Sequence, residues 1–226
     1  MSITKKTDPE TGQVAAFFES YANDFNSIYG HTGKRNFFQR AIDSIFRKTM
    51  FLRFQETLKN TSNPQIESVL DIGCGPGHYC AAFLKQNKKV TGLDVSEEML
   101  KIARQNLGRQ NLSGEINLIR DDYLNHAFTE KFDAACLMGF FDYIKNPKDI
   151  LIKLKKEIRK EIYASFPKSG GMLALQRRIR YKMRHCPLYL YSKKDVFDLM
   201  KQTGFGNYEI VDCERDWFVK IRLSEK

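Results

Sequence analysis

The hydrophobic pattern of the chain alternates between short apolar runs and longer stretches whose apolar residues recur at helical spacing. Short apolar runs of this kind are typical of buried strands, whereas helical spacing indicates amphipathic helices. Regular alternation of the two predicts an α/β fold, with helices on both faces of a mostly parallel sheet. The predicted strands lie near 68–72, 90–94, 116–120, 132–138 and 161–166.

Two further runs, 207–214 and 216–222, alternate apolar and polar residues and are separated by a turn. Such a pair is typical of antiparallel neighbours at one side of a sheet. We therefore expect seven strands in one sheet, with the last strand antiparallel to the others.

The region before the first strand is predicted to be helical. Residues 14–29 and the stretch from Gly33 to residue 59 carry apolar side chains at helical spacing. The polar segment NTSNPQ then interrupts the pattern. Residues 1–12 are polar and are predicted to be disordered.

These patterns divide the chain into an N-terminal helical extension, 13–60, and a core, 61–226. Within the core, residues 167–191 separate the fifth strand from the next helix, which is more than a simple connection requires. We expect this insertion to act as a lid over a substrate pocket.

The first strand leads into a glycine-rich turn, SVLDIGCGPGHY, at 68–79. Gly73, Gly75 and Gly77 allow the backbone to approach a ligand where a Cβ atom would collide with it. A turn of this kind is not specific by itself, because dinucleotide-binding folds have one with GxGxxG spacing. Here the spacing is GxGxG, and Asp71 precedes it.

Acidic residues occur at the ends of three successive predicted strands. Asp94 ends the second, where a carboxylate can accept hydrogen bonds from both hydroxyls of a ribose. The third strand leads into Asp121 and Asp122. Any one of these acids could be a helix cap or a turn residue. Together with Asp71, on one edge of one sheet, they indicate a cofactor site.

The motifs DIGCGPG, GLDVS and RDDYL, within residues 68–144, resemble those of the class I S-adenosylmethionine-dependent methyltransferases. The resemblance implies a Rossmann-like fold, S-adenosylmethionine as cofactor and S-adenosylhomocysteine as product. It also implies that Asp71 faces the methionine ammonium, Asp94 holds the ribose and Asp122, rather than Asp121, bonds the adenine. The implied cofactor-binding residues are Asp71, Gly73, Cys74, Gly75, Gly77, Asp94, Val95, Asp122, Tyr123, Met138 and Gly139.

The general layout is also similar, more loosely, to magnesium-protoporphyrin O-methyltransferases and their uncharacterised bacterial relatives, through FFESYANDFNSIYG, ASFPKS and YLYSKKDV. This resemblance implies that Tyr29 and the residue at position 142 lie on the acceptor side. At the second of these positions the porphyrin enzymes have a histidine, whereas this chain has Asp142. For a hydroxyl acceptor, Asp142, Tyr29 or Tyr143 can serve as the base. The alternative interpretations are that Tyr29 packs within the helix pair and that Asp142 caps a turn.

The positive charge of the chain is compatible with two kinds of binding partner. The formal net charge is +10, and cations cluster at 177–184 around Tyr181. A basic patch with an aromatic residue is typical of nucleic-acid binding. The same cations would also bind an acidic or lipid-like acceptor, since arginine grips a carboxylate or phosphate at two points. The second basic stretch, KLKKEIRK at 153–160, is predicted to be the solvated face of a covering helix.

The remaining composition indicates an ordinary globular domain of 226 residues. Its five cysteines and four histidines lack disulfide or metal-ligand spacing, so no metal is predicted. No run is long enough to cross a bilayer, and we expect a cytoplasmic protein.

The favoured function is O-methylation of a small, acidic or amphiphilic acceptor. The alternatives are an RNA-directed methyltransferase and a non-catalytic S-adenosylmethionine-binding module that regulates or binds nucleic acid. The oligomeric state is left open.

Overall fold

The computed structural model describes residues 12–19, 37–110, 112 and 114–223, with the side chains of 37–47 left out. Helix α1 spans 12–19, so it begins at the last residue of the segment expected to be disordered. The remainder of that segment, the continuation of the first predicted helix and the candidate Tyr29 lie outside the described residues.

The structure has strands β1 Ser68–Ile72, β2 Lys89–Asp94, β3 Ile116–Arg120, β4 Phe132–Leu137, β5 Ile158–Pro167, β6 Tyr208–Cys213 and β7 Asp216–Arg222. These seven strands form one sheet in the order β3-β2-β1-β4-β5-β7-β6. The pairs among β1 to β5 are parallel, and β7 is antiparallel to both β5 and β6. This confirms the predicted Rossmann-like sheet with an antiparallel last strand.

The helices after α1 are α2 Phe37–Thr61, α3 His78–Lys85, α4 Glu97–Arg109, α5 Pro147–Glu157, α6 Gly171–Met183 and α7 Lys193–Thr203. Helices alternate with the strands from α2 to β3, as the hydrophobic pattern predicts, and again at α5 and β5, whereas β3 leads directly into β4. The second helix of the N-terminal extension ends at Thr61, close to the predicted break.

The core lies in two layers because successive strand residues point to opposite faces of the sheet. On β1, Leu70 and Ile72 pack in the cluster that includes residues of α5 and α7. Val69, the residue before Leu70, points to the opposite face and packs in the cluster that includes residues of α3 and α4, with α2 at its margin. This burial on both faces explains why the buried residues of β1 and β4 occupy consecutive and not alternate positions.

The insertion after β5 is fixed at its base. Tyr191 N donates to the carbonyl oxygen of Pro167 at 2.7 Å, and Ser169 N donates to the carbonyl oxygen of Tyr191 at 3.0 Å. The Tyr191 hydroxyl donates to the carbonyl oxygen of Ile144 at 3.2 Å. The segment therefore leaves and rejoins the sheet at one place, with α6 between the two points.

One prediction about the basic stretch 153–160 is wrong. Helix α5 ends at Glu157, and the residues after it begin β5, which starts before the predicted position 161. Ile158 is buried and pairs with Phe132 of β4. Lys160 Nζ lies 3.3 Å from the buried carboxylate of Asp133. Burial of Ile158 and pairing with Asp133 therefore favour the strand over a solvated helix.

Among the described residues, none of the helices is long and apolar enough to span a membrane.

Candidate functional site

A cavity of about 620 Å³ opens at the carboxyl ends of β1, β2 and β4. Ligands of open parallel sheets bind at this edge, where the loops after the strands converge. Its lining includes the strand-end acids, a name we use for Asp71, Asp94 and Asp122. The cavity also reaches α1, α2 and α6, so one space is bounded by the sheet edge and by the helical cover.

The glycine turn has the geometry that its sequence predicts, but its three glycines differ in what they do. All three have positive φ, at 69° for Gly73, 50° for Gly75 and 78° for Gly77. A Cβ on Gly73 would lie 2.9 Å from the ring of Phe140, whereas a Cβ on Gly75 would meet nothing within 4 Å. Gly75 therefore leaves space open for a ligand in the cavity that it lines.

Gly77 is outside the set of residues that line the cavity. It precedes α3, and a Cβ there would lie 3.0 Å from the Cβ of Ala103 on α4. This glycine thus allows the two helices to approach each other, so its role is in helix packing and not in lining the cavity.

Asp94 is held in a fixed orientation by the turn that it faces. Its Oδ2 accepts a hydrogen bond from Gly75 N at 2.9 Å, and its Oδ1 accepts one from Ser96 N at 2.9 Å. Burial raises the pKa of this carboxyl, while the bonds from Ser96 N and Gly75 N oppose the rise. Each oxygen keeps a further lone pair for a ligand hydroxyl. Val95, the next residue, lines the same part of the cavity.

Asp71 is 2% exposed and lies at the base of the cavity. Burial raises its pKa to about 7; the hydrogen bond from Cys80 opposes this rise, and the charge of Asp94 adds to it. The Cys80 thiol donates to Oδ2 at 3.2 Å. A cation placed beside Asp71 would stabilise the ionised carboxylate. Cys74 lines the cavity and is a free thiol whose pKa is raised, as expected of a packing residue.

The two acidic residues after β3, Asp121 and Asp122, lie in different surroundings. Asp122 lines the cavity, and its Oδ1 accepts a hydrogen bond from Leu124 N at 2.8 Å. Asp121 is outside the cavity lining and lies 2.9 Å from Nδ1 of His126. Tyr123 also lines the cavity, while its hydroxyl donates to Glu157 at 2.6 Å. The structure thus places Asp122 and not Asp121 at the ligand space.

The end of β4 connects the glycine turn to the opposite side of the cavity. Met138, Gly139 and Phe140 all line the cavity. Gly139 N donates to Ser165 Oγ at 2.8 Å, and Arg53 Nη1 donates to the same oxygen at 3.2 Å. Ser165 Oγ thus links the segment from 138 to 140 to Arg53, one of the charged groups described next.

Five charged residues form what we call the buried ion cluster. Arg53 of α2 donates to Asp216 Oδ2 at 2.7 Å, and Arg177 of α6 donates to Asp216 Oδ1 at 2.9 Å. Arg177 also donates to Asp142 Oδ2. Arg215 lies beside Arg177 and Asp216, whose charges act on it. All five line the cavity, and each is less than a tenth exposed.

The cluster contains three arginines and two aspartates, so its described members carry a formal excess of one positive charge. Burial, together with the charges of Arg177 and Arg180, lowers the pKa of Arg215 to about 10. Burial raises the pKa of Asp142, against the opposing charge of Arg177. Burial also acts to raise the pKa of Asp216, but Arg53 and Arg177 hold it below its ordinary value. This end of the cavity thus favours an additional anion.

Asp142 lines the cavity and has one carboxylate oxygen without a partner among the described residues. Its Oδ2 is bonded to Arg177, while its buried Oδ1 has no hydrogen-bond partner among the described residues. A buried carboxylate oxygen without a partner is costly, and a ligand that donates a hydrogen bond to it would remove that cost. This group can accept a proton from a bound molecule.

Aromatic residues line the cavity on the side of α1 and α6. The Tyr143 and Tyr181 hydroxyls lie 2.9 Å apart, which joins the loop after β4 to α6. Phe18 of α1 packs edge-to-face on Tyr143 at 5.2 Å between ring centroids. Burial raises the pKa of Tyr143 well above its ordinary value, so this phenol stays protonated and suits hydrogen-bond donation.

The cavity brings together most of the residues singled out from the sequence, including ten of the implied cofactor residues, all but Gly77, and the candidates Asp142 and Tyr143. Sequence analysis missed Arg53, Arg215 and Asp216. The one sequence feature that could have identified these residues is a charged side chain next to an apolar run. Asp216, for example, is the first residue of the strand DWFVKIR.

Comparison with known proteins agrees with the fold. Residues 69–160 match a family model described as a methyltransferase domain. The chain is 28% identical over 95 residues to a ubiquinone biosynthesis O-methyltransferase of Proteus mirabilis, covering 41% of this chain and 38% of that protein. It is 29% identical over 181 residues to a tRNA U34 carboxymethyltransferase of Pseudoalteromonas atlantica, covering 72% and 53%. The chain thus spans less than two thirds of these relatives.

Among solved structures, the fold is similar to that of magnesium protoporphyrin IX methyltransferase from Synechocystis PCC 6803, crystallised with bound S-adenosylhomocysteine. The TM-score is 0.73 at 19% identity, over 95% of this chain and all of that one. The similarity therefore includes the region outside the domain match and establishes a shared fold.

Proposed function

We propose that this chain, whose residues 69–160 form a methyltransferase domain, transfers a methyl group from S-adenosylmethionine to an oxygen of a small acidic or amphiphilic acceptor. The observation that carries the proposal is one cavity lined both by the strand-end acids and by the buried ion cluster. A donor and an acceptor held in that space would be in contact. Such positioning supplies most of what a displacement at a methyl carbon requires.

In this proposal the strand-end acids hold the cofactor. Asp94 accepts from the ribose hydroxyls with the lone pairs that Gly75 N and Ser96 N leave free. Asp122 accepts from the adenine amino group, and Asp71 pairs with the methionine ammonium. Bound in this way, S-adenosylmethionine supplies a methyl carbon made electrophilic by its sulfonium.

The acceptor occupies the side lined by the buried ion cluster and by α1, α2 and α6. Its oxygen forms the new bond to the methyl carbon as the carbon–sulfur bond breaks, with that electron pair staying on sulfur. For a hydroxyl acceptor, Asp142 Oδ1 takes the proton while Arg177 holds the other carboxylate oxygen. Base catalysis of this kind contributes on the order of a hundredfold.

An acidic group on the acceptor would complement the excess positive charge of the cluster. Arg53, Arg177 and Arg215 line the cavity, and they are shielded from bulk water. Charge-assisted hydrogen bonds are stronger at such sites because competing solvent is excluded. A carboxylate acceptor would need no base, since its oxygen is already a nucleophile. The same burial makes these arginines unsuited to binding the exposed phosphates of a long nucleic acid.

Calorimetric titration with S-adenosylmethionine and S-adenosylhomocysteine tests the cofactor half. Asp94→Ala should weaken binding by about a hundredfold, because two hydrogen bonds to a charged acceptor are lost. Glu97→Ala is the control, since Glu97 bonds Arg104 on the exposed side of α4. Asp122→Ala should weaken binding and Asp121→Ala should not. Equal affinities across either pair would contradict the proposed cofactor contacts.

A methyl-transfer screen against porphyrin, phenolic, fatty-acid and RNA acceptors tests the part of the proposal that concerns the acceptor. Turnover on a small acceptor that falls about a hundredfold in Asp142→Asn, at unchanged cofactor affinity, would support Asp142 as the base. Turnover on RNA alone would overturn the acceptor assignment. Cofactor binding without any turnover would favour the non-catalytic alternative.

A further inference from the structure

Helix α6 has an unusual distribution of apolar side chains. Its inner face carries Ala174, Arg177 and Tyr181, and the last two line the cavity. The opposite face carries Met172, Leu175, Ile179 and Met183, whose exposed fractions are 85%, 57%, 54% and 77%. We call these four residues the α6 stripe.

The α6 stripe is continuous, because its members recur at three- or four-residue spacing along the helix. Single exposed apolar residues are ordinary on protein surfaces, whereas a continuous row marks a contact surface. The stripe therefore needs an occupant.

Charge around the stripe identifies the kind of occupant. Arg178, Lys182 and Arg184 are exposed on or next to α6. At about 100° per residue, Arg178 and Lys182 flank the stripe on one side. Between Glu161 and Asp195 the sequence contains no acidic residue. The occupant must accept apolar side chains at its centre and cations at its margin.

We propose that the α6 stripe inserts into the interfacial region of an anionic phospholipid bilayer. A helix with an apolar face and flanking Lys and Arg residues lies in the plane of such an interface, with its apolar side chains below the headgroups. Anionic headgroups attract the flanking cations. The helix does not cross the bilayer, in agreement with its length and composition.

Other occupants match the surface less well. A nucleic acid would pair with the cations but would leave the four apolar side chains against phosphate and water. A second copy of the chain, packed stripe to stripe, would bring the Arg178 and Lys182 side chains of both copies together without acidic partners on α6. The bilayer satisfies both the apolar and the charged parts.

The inference goes beyond the proposed function and does not depend on methyl transfer. It has a consequence for access, because α6 separates the cavity from the outer face through Arg177 and Tyr181. A bilayer on the stripe would lie one helix diameter from the ligand space. An amphiphilic acceptor could then reach the cavity directly from the lipid phase.

Flotation with vesicles tests the inference, without cofactor or acceptor. The full chain should bind vesicles that contain phosphatidylglycerol, bind phosphatidylcholine vesicles weakly, and dissociate as salt is raised. Leu175→Ser and Ile179→Ser should each weaken binding by about tenfold, because a buried aliphatic side chain is lost. Arg178→Gln and Lys182→Gln should each weaken it by about fivefold.

Phe197→Ser is the matched control, since Phe197 is also 54% exposed but lies on α7. It should bind vesicles as the wild type does. Thermal unfolding and cofactor titration on the same variants show whether each is folded. Equal vesicle binding by wild type and the Leu175→Ser, Ile179→Ser double variant would overturn the inference. So would binding to no vesicle, a dimer that the double variant dissociates, or stripe-dependent binding to RNA.

Discussion

The two halves of the cavity are built in different ways. The half proposed to hold the cofactor, which we call the cofactor half, is formed by backbone turns at the ends of adjacent parallel strands. Neighbouring amides orient two of its acids, as Gly75 N does for Asp94 and Leu124 N for Asp122. The half proposed to hold the acceptor, which we call the acceptor half, is formed by charged side chains from α2, α6 and β7 that pair with one another. Short-range geometry thus fixes one half, and long-range charge pairing fixes the other.

This difference has energetic consequences. A residue in the cofactor half can change ligand affinity with little effect on the fold, because its contacts are local. A residue in the buried ion cluster supports several elements at once, and its loss leaves opposite charges uncompensated. Stability and binding should therefore respond separately in the two halves.

The largest effect on stability is expected from Arg177. Arg177→Met should lower the free energy of unfolding by about 3 kcal/mol, because Asp142 and Asp216 lose a shared buried partner. Arg178→Met is the matched control on the next residue, which is exposed and should change stability by less than about 0.5 kcal/mol. Urea denaturation of the two variants measures the difference. Similar unfolding midpoints would show that the cluster does not hold the acceptor half together.

A smaller effect on stability is expected in the glycine turn. There, substitution of Gly77 should mainly change stability, and substitution of Gly75 should mainly change ligand affinity. Gly77→Ala should cost about 2 kcal/mol, because it combines positive φ with a close approach to Ala103. Gly75→Ala should cost about 1 kcal/mol of stability, from positive φ alone. Its added methyl enters the ligand space instead.

Thermal unfolding and titration with S-adenosylhomocysteine distinguish these two outcomes. Gly75→Ala should lose at least about tenfold in affinity, whereas folded Gly77→Ala should keep most of it. Gly206→Ala, where the added Cβ would meet nothing, is the neutral reference. If Gly77→Ala reduced affinity as much as Gly75→Ala, the assignment of Gly77 to helix packing would be wrong.

The same contrast explains which residues of the site can be predicted from the sequence and which cannot. The cofactor half lies within 68–139, where strand ends and glycines mark the turns and the sheet edge brings Asp71, Asp94 and Asp122 together. The acceptor half depends on pairs such as Arg53 with Asp216, which are 163 residues apart. No local pattern specifies such a pair. Arg177 was visible only as part of a basic cluster, and burial separates it from the exposed Arg178.

The start of β5 shows a further limit. The run from Lys153 to Lys160 has helical composition, and α5 does occupy its first part. The strand begins at Ile158 because that side chain is buried and because Asp133 provides partners for Arg159 and Lys160. Tertiary contacts, absent from the local sequence, decide this boundary.

The smallest expected effect is the pH dependence of cofactor affinity. Burial raises the pKa of Asp71 to about 7, so the carboxyl is largely neutral one unit below that value and largely ionised one unit above it. If Asp71 pairs with the methionine ammonium as proposed, only its ionised form does so, and binding should release a proton below the pKa. Affinity for S-adenosylhomocysteine should therefore rise about tenfold across this interval and then level off.

Titration calorimetry in buffers of different ionisation enthalpy measures both the affinity and the released proton. Asp71→Asn should bind more weakly and lose the pH dependence. His78 also lines the cavity, and burial lowers its pKa, so His78→Gln is the control for a second titrating group. Loss of the pH dependence in His78→Gln, with its retention in Asp71→Asn, would assign the proton to the histidine. The cofactor half would then depend on a charge outside the strand-end acids.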